Sequence, residues 1–161
     1  MTIENTDKKG TLFLKQASYP WVVGVAASVP FLTFWQMLLV SSARKASKIK
    51  YPQVYATKEE EAASVEARKF NCAQRAHQNT LENITPFVLS LLISGLSHPR
   101  VAAISGALFV VGRVVFTLGY NSGDPKKRVP GSLIGYLGLL SLFFTSAYTA
   151  FGLLQKTNFH F

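Results

Sequence analysis

Three polar residues recur at helical spacing in an otherwise apolar stretch. Arg75, Asn79 and Glu82 stand at i, i+4 and i+7, which aligns them along one side of a helix. Asn71 and Gln78 extend the same side. Arg113, Thr117 and Tyr120 repeat the spacing and could form a facing wall. A guanidinium, an amide, a carboxylate and a phenol offer more hydrogen bonds than one ion pair needs. They suit a polar molecule bearing charges of both signs. An internal network is the other reading, with Glu82 neutralising Arg75 or Arg113 and nothing bound. His77 sits amid this set and joins the candidate binding residues. A general base, a metal ligand or a polar packing residue would each fit it, but no second His or carboxylate stands at ligand spacing, and no metal is expected. Cys72 reads more simply as a small buried hydrophobe than as a nucleophile. There is no Ser-His-Asp arrangement and no Gly-rich phosphate loop.

The elements that must carry these residues are legible in where the charges are missing. The chain has 161 residues, 48% of them hydrophobic and only 16% charged, yet a formal charge of +9. Its mean hydropathy is +0.21. Soluble nucleic-acid binders carry nearer 25% charged residues, and one cysteine rules out an intrachain disulfide framework. No charge falls between Gln16 and Ala43. At 1.5 Å per residue, about 20 such residues cover the roughly 30 Å of bilayer hydrocarbon. Pro30 inside the run is a kink that a membrane helix tolerates. A second uncharged run goes from Leu133 to Gln155, opening with the GxxxG pattern Gly131 to Gly135. Small residues there allow close helix packing, though Gly131 also suits an entry turn after Pro130. Asn83–Leu96 and Val101–Tyr120 are apolar but for Arg113, and His98-Pro99 marks a tight turn between them.

These patterns predict an all-α integral membrane protein, a bundle of four transmembrane helices over 16–43, 66–97, 100–122 and 130–155. A polar tail at 1–14, a membrane domain at 15–155 and a short tail at 156–161 complete the organisation. The first loop carries Arg44, Lys45, Lys48, Lys50, Lys58, Arg68 and Lys69, and the third carries Lys126, Lys127 and Arg128. The positive-inside rule puts both loops in the cytosol. The surplus of cations is therefore a topology signal.

The block Phe70-Asn-Cys-Ala-Gln-Arg-Ala-His-Gln-Asn-Thr-Leu-Glu82, followed by Pro86-Phe87, resembles the second-helix signature of the MAPEG superfamily, membrane-associated proteins of eicosanoid and glutathione metabolism. Its nearest branch is similar to the type-three microsomal glutathione transferases. Val40-Ser-Ser-Ala-Arg-Lys45, Lys50-Tyr-Pro-Gln-Val-Tyr55, Gly112-Arg-Val-Val-Phe-Thr-Leu-Gly-Tyr120 and Gly123-Asp-Pro-Lys-Lys-Arg128 resemble other family blocks in the right order. The resemblance implies a homotrimer with glutathione, as co-substrate, held between subunits near the cytosolic face. It implies transfer of glutathione to lipophilic electrophiles and reduction of lipid hydroperoxides. By it, Arg75, Asn79, Glu82 and Tyr120 hold the peptide, Arg44 reaches a carboxylate, and Arg128 activates the thiol, with Lys127 a weaker substitute. It further implies residence in the endoplasmic reticulum membrane, with the mitochondrial outer membrane as a second site.

The chemistry of these side chains agrees with that implication. Arginine pairs bidentately with carboxylates. A thiol of pKa about 8.5 is mostly protonated at neutral pH, and a guanidinium in a partly dry site favours its anion. One departure is Phe116, where several relatives have Tyr or His. It removes a polar contact and mildly favours a different reading, a non-catalytic lipid-binding scaffold like the lipoxygenase-activating member. A small transporter, resting on the intramembrane charges alone, is a third reading.

Overall fold

The computed structural model describes the backbone of residues 2–156 and the side chains of 18–156. Four long helices carry the chain back and forth. They are α1 (Thr2–Ser47), α3 (Val65–Ser97), α4 (Pro99–Tyr120) and α5 (Val129–Lys156), with a short α2 (Lys58–Ala63) in the first loop and a 3-10 turn (Pro125–Arg128) before α5. Four segments are long and apolar enough to cross a bilayer: Ser18–Ser47, Val65–Ser97, Pro99–Tyr120 and Pro125–Lys156. The expected bundle is present, and its second, third and fourth helices lie within two residues of the expected bounds.

The first helix differs at both ends. It begins at Thr2, well ahead of the expected residue 16, and it runs on to Ser47. Arg44 and Lys45 therefore sit in its last turn rather than in the loop, where cations favour the negative end of the helix dipole. The expected tail at 156–161 lies almost wholly outside the described residues. Around Pro30, the Ser28 hydroxyl donates to Val25 O at 2.7 Å and the Thr33 hydroxyl to Pro30 O at 3.0 Å. These hydroxyls, on either side of the proline, bond carbonyls of the helix.

Sequence reading missed α2. Its signal is a capping box: Thr57 Oγ1 accepts from the Glu60 N–H, and the Glu60 carboxylate accepts from the Thr57 N–H. The S/T-x-x-E spacing was visible. Ser64 caps α3 with a single bond, its Oγ accepting from the Ala67 N–H. At the other end, His98 N–H closes on Ser94 O at 2.8 Å, and Pro99 opens α4. The tight turn expected at His98-Pro99 is therefore present.

The core is a seam of Val22, Val29, Phe87, Leu91, Ala102, Phe109, Leu139 and Leu142 between the four long helices. The Phe87 and Phe109 rings stack with centroids 4.0 Å apart. Many large apolar side chains point outward instead, as lipid-facing helices require; Trp21, Phe31 and Phe144 are about three-quarters exposed. The closest helix pair is α4 with α5. A Cβ on Gly112 would come within 2.5 Å of Gly135 Cα, and one on Gly131 within 2.5 Å of Phe116 Cα. The GxxxG pattern is thus a packing surface, with Gly131 buried in it rather than merely opening a turn. Buried polar pairs pin the other helices. Gln36 of α1 donates to Thr80 Oγ1 of α3 at 2.9 Å and to Thr117 Oγ1 of α4 at 2.7 Å.

Candidate functional site

Helix α3 presents the predicted stripe. Arg75 and Glu82 form an ion pair at 2.9 Å, with side chains 41% and 45% exposed. Asn79 lies between them and donates from Nδ2 to Glu82 Oε2 at 3.4 Å. Arg113 enters from α4 and donates to Asn79 Oδ1 at 2.6 Å. The facing wall expected from spacing therefore exists. Glu82 pairs with Arg75, whereas Arg113 reaches the amide. The ion pair that an internal network would need is present, and so are its unsatisfied neighbours: Arg113 Nε and Gln36 Oε1 are buried with no protein partner.

Tyr120 stands at the end of α4, packed with Phe116 against Cys72 and Ala76 of α3. Its phenol oxygen accepts from Arg128 at 3.1 Å, and the Arg128 guanidinium lies 5.1 Å from the Tyr120 ring centroid. Because that oxygen accepts, the phenol keeps its own proton for a further partner. Arg128 is otherwise exposed. Backbone geometry brings it there. Gly123 takes φ +84°, Asp124 caps the 3-10 turn through the Lys126 N–H at 2.9 Å, and the turn folds back on α4. At Gly119 a Cβ would come within 2.7 Å of Lys127 C. Only glycine permits this approach.

The structure does not bring two of the predicted residues to the stripe. His77 is two positions past Arg75, roughly 200° around the helix, and it is half-buried on that other side. Arg44 is turned toward its own loop. It donates to Gln53 O at 2.7 Å and Ile49 O at 3.5 Å, and lies over the Tyr51 and Phe70 rings at 4.2 and 4.5 Å. Asn71 likewise clamps the loop, accepting from the Ala56 N–H at 2.8 Å and donating to Ala56 O at 3.1 Å. Tyr55 completes this cover with a hydrogen bond to Gln78 Oε1. Cys72 is buried, in keeping with a packing role. Sequence reasoning passed over Gln36, which joins three helices. A lone amide in an uncharged run was its only signal.

A family model described as the MAPEG family matches residues 22–148, which reaches into all four long helices and takes in both halves of the site. The chain belongs to the MAPEG family. With four membrane-capable helices it is a membrane protein. MAPEG proteins include glutathione transferases, peroxidases and non-catalytic members, and membership does not choose among them. Arg113 links the two halves of the site: it donates to Asn79 of the stripe, and its guanidinium lies over the Phe116 ring, which meets the Tyr120 ring edge-on.

Proposed function

We propose that this chain is a membrane-bound glutathione transferase with glutathione peroxidase activity, acting on lipophilic electrophiles and lipid hydroperoxides. The observation that carries this reading is the Arg128–Tyr120 pair beside the charged stripe. A scaffold that presents lipid has no need of a guanidinium polarising a phenol. Glutathione brings two carboxylates, an ammonium and a thiol. Arg75 suits a carboxylate, Glu82 suits the ammonium, and Arg44 would reach the second carboxylate only by releasing its loop carbonyls. Arg128 and the Tyr120 hydroxyl stabilise the thiolate, with the thiol proton passing to water. Each unit of pKa depression requires about 1.4 kcal/mol.

In conjugation the thiolate forms a carbon–sulfur bond to the electrophile. In peroxide reduction it attacks the distal oxygen, breaking the O–O bond. The lipid alkoxide takes a proton and leaves as the alcohol. A second glutathione then displaces hydroxide from the sulfenic intermediate, giving the disulfide and water.

A homotrimer also fits. The Arg75–Glu82 pair lies midway along α3 and is almost half exposed. Facing hydrocarbon it would cost several kcal/mol; a neighbouring protomer would remove that cost and close the site. The proposed residence is the endoplasmic reticulum membrane, with the site near the cytosolic face.

The test is the ultraviolet thiolate absorbance of glutathione added to detergent-purified protein. Wild type is expected to raise it, Arg128→Ala to abolish the rise, and Arg128→Lys to restore part. A wild type with neither a thiolate signal nor turnover, yet with tight lipid binding, would mean the scaffold reading is correct.

A further inference from the structure

On the face of the bundle that carries the His98-Pro99 turn, α1 and α4 both begin their membrane spans, at Ser18 and Pro99. The two helices touch at Gly106, where a Cβ would come within 2.8 Å of Val25 Cγ1. Beside that contact a groove of about 350 Å³ opens between them. The small side chains of Ala103 and Ala107 stand one turn apart on α4 and leave the space, and Trp21, Val25 and Ile104 wall it. The groove runs from Ser18 and Arg100 down to Val25 and Ala107. That is about 10 Å along each helix at 1.5 Å per residue, or roughly two-thirds of one leaflet's hydrocarbon.

Arg100 holds the outer end of the groove. Its Nε donates to Ser18 Oγ at 3.4 Å, which fixes the guanidinium there and leaves both Nη groups for a ligand. No side chain caps α4. Pro99 has no N–H, and the Ala102 N–H goes to His98 O at 2.9 Å, so the Arg100 and Val101 N–H groups stand at the positive end of the helix dipole. Every described carboxylate lies elsewhere. Glu59, Glu60, Glu61, Glu66 and Asp124 belong to the opposite face, and Glu82 to the middle of α3. The outer end is therefore cationic with no described anion to neutralise it, and the rest of the groove is apolar.

We propose that this groove binds an anionic glycerophospholipid, with one acyl chain between α1 and α4 and the phosphodiester on Arg100 and the N-terminus of α4. The guanidinium fork matches two phosphate oxygens, and the helix N-terminus offers further donors. The volume is at the small end for a ligand pocket, so it seats one chain, and the second stays in the surrounding bilayer. A zwitterionic headgroup would bring its ammonium against Arg100 with no carboxylate to receive it, so a net negative headgroup is preferred. Trp21, three-quarters exposed at this level, stands where indoles favour the membrane interface. Arg100 and Tyr120 lie at opposite ends of α4, about 30 Å apart, so this site stands or falls separately from the glutathione reading.

The experiment uses the full chain with Trp35→Phe, which leaves Trp21 as the single tryptophan, in phosphatidylcholine vesicles. Lipid brominated on its acyl chains is added in increasing fractions, as phosphatidylglycerol or as phosphatidylcholine, and quenching of Trp21 is read. Brominated phosphatidylglycerol is expected to bind beside Trp21 about fivefold more tightly than its phosphatidylcholine counterpart, the worth of one cation near an anionic headgroup. Arg100→Gln, at an exposed position, is expected to bring that ratio to about one. Ala107→Leu fills the inner end of the groove and is expected to lower the ratio with Arg100 intact. A ratio of one before any substitution in the groove overturns the proposal, because Trp21 then meets only bulk lipid. A ratio unchanged in Arg100→Gln overturns it too; if that variant does not fold, a ratio unchanged in Ala107→Leu does the same. Stronger quenching by a brominated fatty acid than by brominated phosphatidylglycerol would make the occupant a free carboxylate. Absence of quenching by all three would make it a second copy of the chain. Either result overturns the phospholipid assignment.

Discussion

At the scale of single residues, the half-exposed Arg75–Glu82 pair separates stability from binding. Exposed ion pairs contribute about 0–1 kcal/mol, and this one is open on almost half of each side chain. Glu82→Gln is therefore expected to shift the melting temperature little. A charge-assisted hydrogen bond to a ligand ammonium contributes about 1.5–3 kcal/mol, so the same variant is expected to weaken glutathione at least tenfold. Calorimetric titration beside a melting curve checks both. A variant that fails to fold while binding is unmeasurable would mean the pair is internal architecture. The stripe itself was legible in the sequence because helical spacing needs only a pattern and a period. What each guanidinium would touch was not. Arg44, Arg75, Arg113 and Arg128 look alike as letters, yet they meet loop carbonyls, a carboxylate, an amide and a phenol. Glu82 is the exception, standing on the Arg75 helix itself, where the i+7 spacing already offered it as a partner. The Arg113 partner comes from another helix, and those of Arg44 and Arg128 depend on how the adjoining loop and turn fold back.

At the scale of elements, two glycines divide the labour between holding the bundle and placing the site. Gly112 lies where α4 meets α5, so Gly112→Ala is expected to destabilise the fold by about 1–3 kcal/mol through overpacking. Gly119 lies where the 3-10 turn returns to α4, against Lys127. Gly119→Ala is expected to push that turn away and carry Arg128 from Tyr120. Melting should change less than in Gly112→Ala, while the glutathione thiolate signal should be lost. Thermal unfolding and thiolate absorbance on the two variants distinguish the roles, and equal effects on both readouts would contradict this division. The long helices were readable from uncharged runs, which depend on composition alone. The 3-10 turn and α2 were not recognised, because each is short and rests on caps at Asp124 and Thr57.

At the scale of the whole molecule, both cationic loops open on one side of the bundle and the His98-Pro99 turn on the other. The excess of cations on the loop side predicts that this side is cytosolic. Single cysteines at Lys58→Cys and Lys126→Cys, in a Cys72→Ala background, are expected to react with an impermeant maleimide on sealed microsomes. Arg100→Cys is expected to react only after permeabilisation. The reverse pattern would turn the protein over and put Arg128 in the lumen.

The shortness of the His98-Pro99 turn has a consequence for how the protein is made. Of the four spans α3 is the least apolar and α4 the most, and the turn leaves no slack between them. A translocon sampling α3 alone meets a helix burdened with Arg75 and Glu82, which partition poorly into lipid one by one. Arg75 and Glu82 pair within α3 itself; delivered together with α4 as a hairpin, that helix also arrives with Asn79 already met by Arg113 and with the most apolar span beside it. Biogenesis of the site-bearing helix is then a two-helix event, in which α4 acts as the carrier that brings the binding stripe into the bilayer.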